Sequence, residues 1–133
     1  LREGGEHGII EDGDTLVVCL PPSRSLSLSA RLLRCLHAQT MCCIERIIQE
    51  VCPKLGRYPT NVSLKDQKSR WGSCGIHQTI HINWRLILAP KGVLEYVVVH
   101  ELCHLIHRNH SQRFWRAVEA HFPDYAVQRQ WLR

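Results

Sequence analysis

Apolar residues recur along the chain in patterns that predict different elements. The run TLVVCL at 15–20 is short and apolar, which is typical of a buried strand. From Ser25 to Cys52, apolar residues recur at nearly helical spacing with charged residues between them. That spacing predicts one long helix or a broken pair, after the chain break expected at PPS. NVSLKDQ at 61–67 and HQTIHINW at 77–84 alternate apolar and polar positions, as half-buried strands do.

The apolar stretch from Val93 to Ile106 is ambiguous, because its YVVV segment is rich in β-branched residues. The stretch is longer than a typical strand. Its apolar residues cover most of a helical circumference, so it predicts a helix buried within a domain. Asn109 is expected to end this helix, since Asn tolerates the left-handed cap conformation. Ser111 is then the predicted N-cap of a second helix, QRFWRAVEAHF, which Pro123 stops.

The predicted buried helix contains an H-E-x-x-H sequence, formed by His100, Glu101 and His104 with two residues between. Residues four apart on a helix are about 40° apart around the axis and about 6 Å along it, so both imidazoles can reach one ion. Zinc suits nitrogen ligands in a tetrahedral shell. Glu101 can face a metal-bound water without coordinating, which is the position of a general base. Burying such groups among apolar residues without a role would be unfavourable.

A catalytic zinc normally has three protein ligands and a water, so a third ligand is expected. His107 lies on the same helix face as His100 but roughly 10 Å along the axis, which is too far for one shell. It is expected to be exposed or to support a ligand from outside the shell. His110 follows the expected helix end at Asn109, where the chain can turn back. The spacing favours His110, and Glu119 in the second helix stays open as the alternative.

Composition and cysteine usage limit the class of protein. The chain has 133 residues, of which 44% are hydrophobic, so one domain over 1–133 is expected. No apolar run approaches the roughly 20 residues that span a membrane. The seven cysteines are odd in number and no pair has C-x-x-C spacing. We therefore expect buried, reduced thiols in a cytoplasmic protein, with no disulfide framework.

The charge is unevenly distributed along the chain. Residues 1–14 form an acidic lead-in with one Arg and five acids, whereas the remainder contains 16 basic and 7 acidic residues. A basic body makes nucleic acid an alternative partner. A solvated basic surface is the simpler explanation, because the sequence has no tight run of basic residues.

Five segments in order resemble the YgjP-like metallopeptidase family. They are RWGSC, INWRLILAP, YVVVHELCHL, NHSQRFW and PDY. The similarity spans about Val62 to Leu132 and extends more weakly from Thr15. The chain also resembles, more distantly, the SprT-like and Wss1-like proteases. Because family domains usually begin further upstream, we expect a missing N-terminal segment.

The resemblance implies a site and a fold. His100, His104 and His110 would be the metal ligands and Glu101 the catalytic base. The implied fold class is α+β, a compact zincin-like domain in which a small sheet packs on the buried H-E-x-x-H helix with flanking helices.

The RWGSC segment has no function that its residues alone define. Gly72 and Gly75 predict a bulge or a close approach of the backbone. Trp71 is expected to pack in the core. A position of Ser73 or Cys74 near the metal is the alternative, and Cys74 as a ligand would suit zinc, although the spacing does not require it.

We therefore predict a zinc-dependent hydrolase with one zinc ion per chain, a metallopeptidase that cleaves peptides with metal-activated water. The strand TIHINW is expected to form the sheet edge beside the cleft, with substrate bound extended against it. His77 and His81, which alternate on one face of the strand HQTIHINW, are expected at the surface, with oxyanion stabilisation by one of them as the alternative. The alternative functions are a metal-binding domain without proteolytic activity and a DNA-associated SprT-like protease. Three histidines and a neighbouring Glu favour an open site, because structural zinc sites usually have four protein ligands.

Overall fold

The computed structural model describes most of the chain, in the segments 2–3, 8–12, 15–20, 27–66, 70–90 and 92–132. Two compact units divide the sequence, Leu1–Cys42 and Cys43–Arg133. Each unit contains its own three-stranded sheet.

The first sheet has its longest strand in the centre. Strand β3 (Thr15–Leu20) pairs in parallel with β1 (Arg2–Glu3) and antiparallel with β2 (Gly8–Asp12). Strand β3 coincides with the predicted strand at 15–20. Strand β2 lies within residues 1–14, which were expected to be only an acidic lead-in. The sequence did not predict this strand, because its apolar residues are too few to form a recognisable pattern. The predicted break at PPS and helix start at Ser25 lie outside the described residues.

Helix α1 (Leu28–Leu55) is one uninterrupted helix, the first of the two predicted alternatives. The side chain of Ser27 accepts a hydrogen bond from the backbone N–H of Ala30 at 3.1 Å, which satisfies one unpaired donor of the first turn. Gly56 follows the helix with φ +77°, and its N–H donates to Cys52 O at 2.8 Å. The left-handed backbone conformation at this position ends the helix, and glycine adopts it more readily than other residues.

The second sheet contains β4 (Asn61–Lys65), β5 (Gly72–Cys74) and β6 (Thr79–Asn83), in the order β4-β6-β5. Strand β6 pairs in parallel with β4 and antiparallel with β5. The prediction that TIHINW forms a sheet edge is therefore wrong, because this strand has a hydrogen-bonded neighbour on each side. The edge strands are β4 and β5, and the three residues of β5 are too few for an alternating pattern. Gln67, the end of the predicted first strand, lies outside the described residues.

A 3-10 helix (Trp84–Leu88) leads from the sheet to helix α2 (Val93–Cys103). Nine of the eleven residues of α2 are buried. It packs against β5, β6 and the two following helices. The prediction of a buried helix, rather than a buried strand, is confirmed, because only contacts on several sides can cover a helix that is apolar nearly all round.

Helix α3 (Gln112–His121) begins where the sequence predicts. The Ser111 hydroxyl accepts a hydrogen bond from Phe114 N at 3.3 Å, and Phe114 and Val118 are fully buried. The helix ends before Pro123. A further short helix, α4 (Tyr125–Trp131), follows and was not predicted. The α+β class is confirmed, and no helix of the described segments is long and apolar enough to cross a membrane.

We expect the buried thiols of the second unit to resist alkylation in the folded protein. Cys52 and Cys103 are both 0% exposed. Burial raises the pKa of Cys52 to about 11, and burial together with the charge of Cys52 raises the pKa of Cys103 to about 12. The thiolate is the reactive form, so exposed Cys42 should react with iodoacetamide at pH 8 long before either. Peptide mass mapping would measure this, and equal labelling of all three before denaturation would contradict it.

Candidate active site

The end of α2 places two histidines one turn apart and then reverses the chain. His104 caps the helix with αR geometry, and its N–H donates to the carbonyls of His100 and Glu101 at 3.3 and 3.2 Å. The next N–H groups, of Leu105 and Ile106, bond three residues back at 3.0 and 3.2 Å. Such short-range bonds tighten a last turn. The helix therefore ends at Cys103, and the prediction that it continues to about Asn109 is wrong.

This tight turn is held from outside the helix. The guanidinium of Arg57, in the loop after α1, donates to Leu105 O at 3.2 Å. The Arg108 guanidinium donates to Gly75 O at 3.2 Å, in the turn between β5 and β6. These bonds fix the path along which the chain returns toward the end of α2.

Three imidazole nitrogens converge where the chain returns. Nε2 of His110 lies 3.2 Å from Nε2 of His104 and 3.3 Å from Nε2 of His100. One ring nitrogen from each of the three lies within 4.8 Å of the other two. Two nitrogens bound to a tetrahedral zinc at 2.0–2.1 Å would lie roughly 3.3 Å apart, so the spacing fits one ion.

The Nδ1 atoms of His100 and His104 have hydrogen-bond partners. Nδ1 of His104 lies 2.9 Å from the backbone oxygen of His107, which can only accept, so this Nδ1 donates. In the neutral ring Nε2 then has a free lone pair. Nδ1 of His100 lies 3.2 Å from the hydroxyl of Tyr96. Hydrogen bonds of this kind orient metal-binding histidines and set their tautomers.

Burial keeps these histidines in the form that binds metals. Burial and then the neighbouring His104 and His110 lower the pKa of His100 to about 3. Burial also lowers the pKa of the half-buried His104, and this outweighs the hydrogen bond to the His107 carbonyl, which acts in the opposite direction. Metal binding requires neutral imidazole, which is the form that both rings hold at neutral pH.

Glu101 lies beside the histidines in a cavity of about 280 Å³, which His104, His110, Cys74 and Arg108 also line. The residue is only 6% exposed. Its burial raises the pKa of the carboxyl to about 7. A carboxyl group with a pKa near neutrality can both accept and release a proton in the working range of most enzymes.

Strand β5 forms a close wall against Glu101. A Cβ atom on Gly72 would lie 3.0 Å from Glu101 Cγ, from Glu101 Oε2 and from Val97 Cγ1. The predicted close approach of the backbone is therefore confirmed at Gly72, and a side chain there would require Glu101 or Val97 to shift by a few tenths of an ångström. Cys74, two residues on, faces the same cavity but does not join the three-histidine group among the described residues.

Other sequence-based candidates lie elsewhere. The side chain of His107 is outside the three-histidine group, although its carbonyl supports His104. Glu119 is exposed on α3 and also outside that group. The prediction that Trp71 packs in the core is wrong, since it is 40% exposed. His77 is exposed in a turn before β6.

His81 does not face the site. It lies opposite Ser63 and Ser73 in the sheet register, and its Nδ1 is 3.1 Å from Ser63 Oγ. Side chains alternate between the two faces of a strand. His81 and Ser73 therefore point away from the face on which Gly72 meets Glu101, which removes the oxyanion role considered for His81.

Sequence reasoning missed a second group of residues beside the histidines. Tyr96, Trp115 and Arg129 line a cavity of about 540 Å³ with His100 and His110. The position of Tyr96, four residues before His100, places it on the same helix face and could have revealed it. No pattern in the sequence indicated that α4 would contribute Arg129 to this cavity.

The α+β fold and the three-histidine group, whose nitrogens could hold one metal ion, fit a metal-dependent enzyme. The YgjP-like, metallopeptidase domain matches residues 4–133, and the chain belongs to the YgjP-like metallopeptidase family. The family implies a divalent metal and a peptide or protein substrate.

Two crystal structures with the same fold are metallopeptidase zymogens, Pyrococcus abyssi abylysin and Methanocaldococcus jannaschii jannalysin. They are 23% and 22% identical to this chain, with TM-scores of 0.59 and 0.55. Each similarity covers 67% of this chain and 90% of the other. No curated protein matches the sequence.

The two neighbouring histidines after α2 should differ sharply in metal binding. Replacing His110 with Ala should weaken zinc affinity by more than about 100-fold, above the roughly 10–100-fold effect of losing an outer partner. Replacing His107 with Ala should change affinity little, because the carbonyl that holds His104 remains. Competition with a chromogenic chelator would measure both. Loss of metal in His107→Ala with retention in His110→Ala would reverse the assignment.

The contact between β5 and Glu101 predicts a different outcome at two glycines. Gly72→Ala should lower the free energy of unfolding by roughly 1–3 kcal/mol, as overpacking does, and should reduce peptide hydrolysis by displacing Glu101. Gly75→Ala is the matched control, because its Cβ would meet only Thr79 O at an ordinary 3.8 Å. Urea unfolding and hydrolysis assays on both variants test this. Equal stability and equal activity of the two variants would contradict a close contact between Gly72 and Glu101.

Proposed function

We propose that this protein is a zinc-dependent peptidase in which His100, His104 and His110 hold one zinc ion and Glu101 is the general base. The observation that supports it most strongly is the convergence of three Nε2 atoms, two pairs of which lie 3.2 and 3.3 Å apart, beside a buried carboxyl group.

The donor set favours zinc over other divalent ions. All three donors are imidazole nitrogens, which suit zinc, whereas magnesium and calcium prefer oxygen ligands. Three protein ligands leave one position of a tetrahedral shell open, as in catalytic rather than structural sites. When bound, zinc would supply Lewis acidity, which lowers the pKa of a water molecule and polarises a carbonyl group.

Glu101 would move the proton in this reaction. Its carboxyl group shares a cavity with His104 and His110, so a water held there lies within its reach. Glu101 would accept a proton from that water and release it to the nitrogen of the departing amine. The rigid wall formed at Gly72 limits the positions that the carboxylate can take, which favours a fixed geometry for the transfer.

The substrate backbone would lie along β5. This strand is one of the two edge strands of its sheet, and it is the edge strand that packs against α2 and provides Cys74 to the cavity. An extended peptide can add to a free strand edge through main-chain hydrogen bonds. The proposal thus transfers to β5 the role that the sequence had suggested for β6.

Glu101→Gln separates the catalytic role of this residue from a structural one. The amide keeps the size of the side chain but cannot accept the proton, so hydrolysis should fall by about 10²–10⁴-fold. Zinc content should stay at one equivalent and the melting temperature near the wild-type value. Elemental analysis, thermal unfolding and a peptide-library assay on one preparation would measure all three.

The control is Glu119→Gln, which changes an exposed carboxyl on α3. It should leave all three quantities unchanged. Wild-type rates in Glu101→Gln would exclude the proposed mechanism, and a wild-type protein that binds zinc but cleaves no peptide would favour a metal-binding domain without proteolysis.

A further inference from the structure

The larger cavity beside the histidines has no role in the proposed chemistry. It measures about 540 Å³ and is lined by Tyr96, His100, His110, Trp115, Arg129 and Leu132. Binding pockets for small molecules and side chains are of this order, about 300–1,000 Å³. Because two of the proposed ligands form part of its wall, a group bound there would lie next to the reacting bond.

Arg129 is held in this cavity by an aromatic stack. Its guanidinium carbon lies 4.4 Å from the centre of the Trp115 ring. Trp115 in turn stacks on Tyr125 at 5.3 Å, and Tyr125 stacks on Tyr96 at 6.4 Å. The stack joins α2, α3 and α4. A guanidinium over an indole ring can still offer N–H groups to a planar partner.

The positive charge of Arg129 has no anionic neighbour in the described segments. The salt bridges there join Arg46 to Glu50 at 3.5 Å and Arg85 to Asp66 at 3.2 Å, and no described carboxylate pairs with Arg129. Its charge nevertheless reaches the site, since it adds to the larger effect of burial in lowering the pKa of His100. Among the described residues, this cavity therefore contains a cation without a salt-bridge partner.

We propose that this cavity is a substrate subsite adjoining the scissile bond and that it binds a carboxylate through Arg129. The inference rests on the proposed peptidase function and adds a substrate preference to it. The planar fork of arginine matches a carboxylate in a bidentate pair, which combines charge with fixed geometry. The apolar surfaces of Trp115 and Leu132, which also line the cavity, would contact the apolar part of the bound residue.

Two sources can supply this carboxylate, an Asp or Glu side chain beside the cleaved bond or the free C-terminus of a peptide. They differ in a simple way. A side-chain carboxylate is recognised wherever the peptide ends, whereas terminal recognition requires an unblocked C-terminus.

Binding to a zinc-loaded Glu101→Gln protein tests the subsite without needing turnover. Calorimetric titration would compare peptides that have Glu or Gln at each position in turn, each with a free or an amidated C-terminus. One carboxylate position should bind roughly tenfold more tightly than its neutral counterpart, as expected for a charge-assisted hydrogen bond. A gain that follows internal Glu identifies the side chain, and one that follows the free terminus identifies the C-terminus.

Arg129→Gln in the same background should abolish this difference, and Arg129→Lys should keep part of it. Arg116→Gln, at an exposed arginine of α3 that does not line the cavity, is the matched control and should keep it fully. A stack that needs Arg129 only for structure would lower the melting temperature of Arg129→Gln without any carboxylate preference in the parent protein.

Equal or undetectable binding of all charged and neutral peptides would overturn the subsite, as would a preference that survives Arg129→Gln. This failure is distinct from failure of the peptidase proposal. Wild-type protein that cleaves neutral peptides as fast as acidic ones would leave the zinc mechanism standing and remove only the role of Arg129.

Discussion

Helix α2 imposes the main constraint on this fold, because it is buried on nearly every side and yet contains ionisable side chains. A polar group transferred from water to an apolar interior without a partner is destabilising by several kcal/mol. Here the polar groups of α2 meet one another and their neighbours. His100 contacts Tyr96 and His110, His104 contacts His110 and the His107 carbonyl, and Glu101 borders the same space. The contacts that assemble the site therefore also provide partners for the polar groups that α2 buries.

The elements around α2 are arranged so that these contacts can form. Strand β5 approaches Glu101 so closely that a Cβ atom on Gly72 would lie 3.0 Å from the Glu101 side chain. The turn after His104 must be tight for His110 to return, and guanidinium groups from Arg57 and Arg108 hold it through backbone carbonyls. Ser111 then caps α3 immediately after His110. The segment 104–111, together with Arg57 and Gly72 from earlier in the chain, thus fixes the geometry of the site.

The sequence was informative wherever a long regular pattern or a strong local signal existed. The apolar circumference of α2, the strand at 15–20 and the cap at Ser111 were all predictable, and so was the proximity of His110 to the H-E-x-x-H histidines. The end of α2 was placed too late, because the chain leaves the helix through short-range hydrogen bonds that leave no trace in the apolar pattern.

Short elements were missed for a related reason. Strand β5 has three residues, and α4 has seven with none buried, so neither contains enough periods to be recognised. The edge position of β5 depends on long-range pairing that no local pattern specifies. Arg129 was overlooked because its significance comes from its position over Trp115, a contact between two helices.

His110 connects the chemistry of the site with its recognition surface, because it lines both cavities. On one side are Glu101, Cys74 and Arg108, next to the edge strand. On the other are the aromatic residues and Arg129. In the proposed mechanism, proton transfer would take place in the smaller cavity, where Gly72 lies against Glu101, and a substrate side chain would occupy the larger cavity beside Trp115. His110, which borders both cavities, would then lie between the proposed base and the proposed subsite.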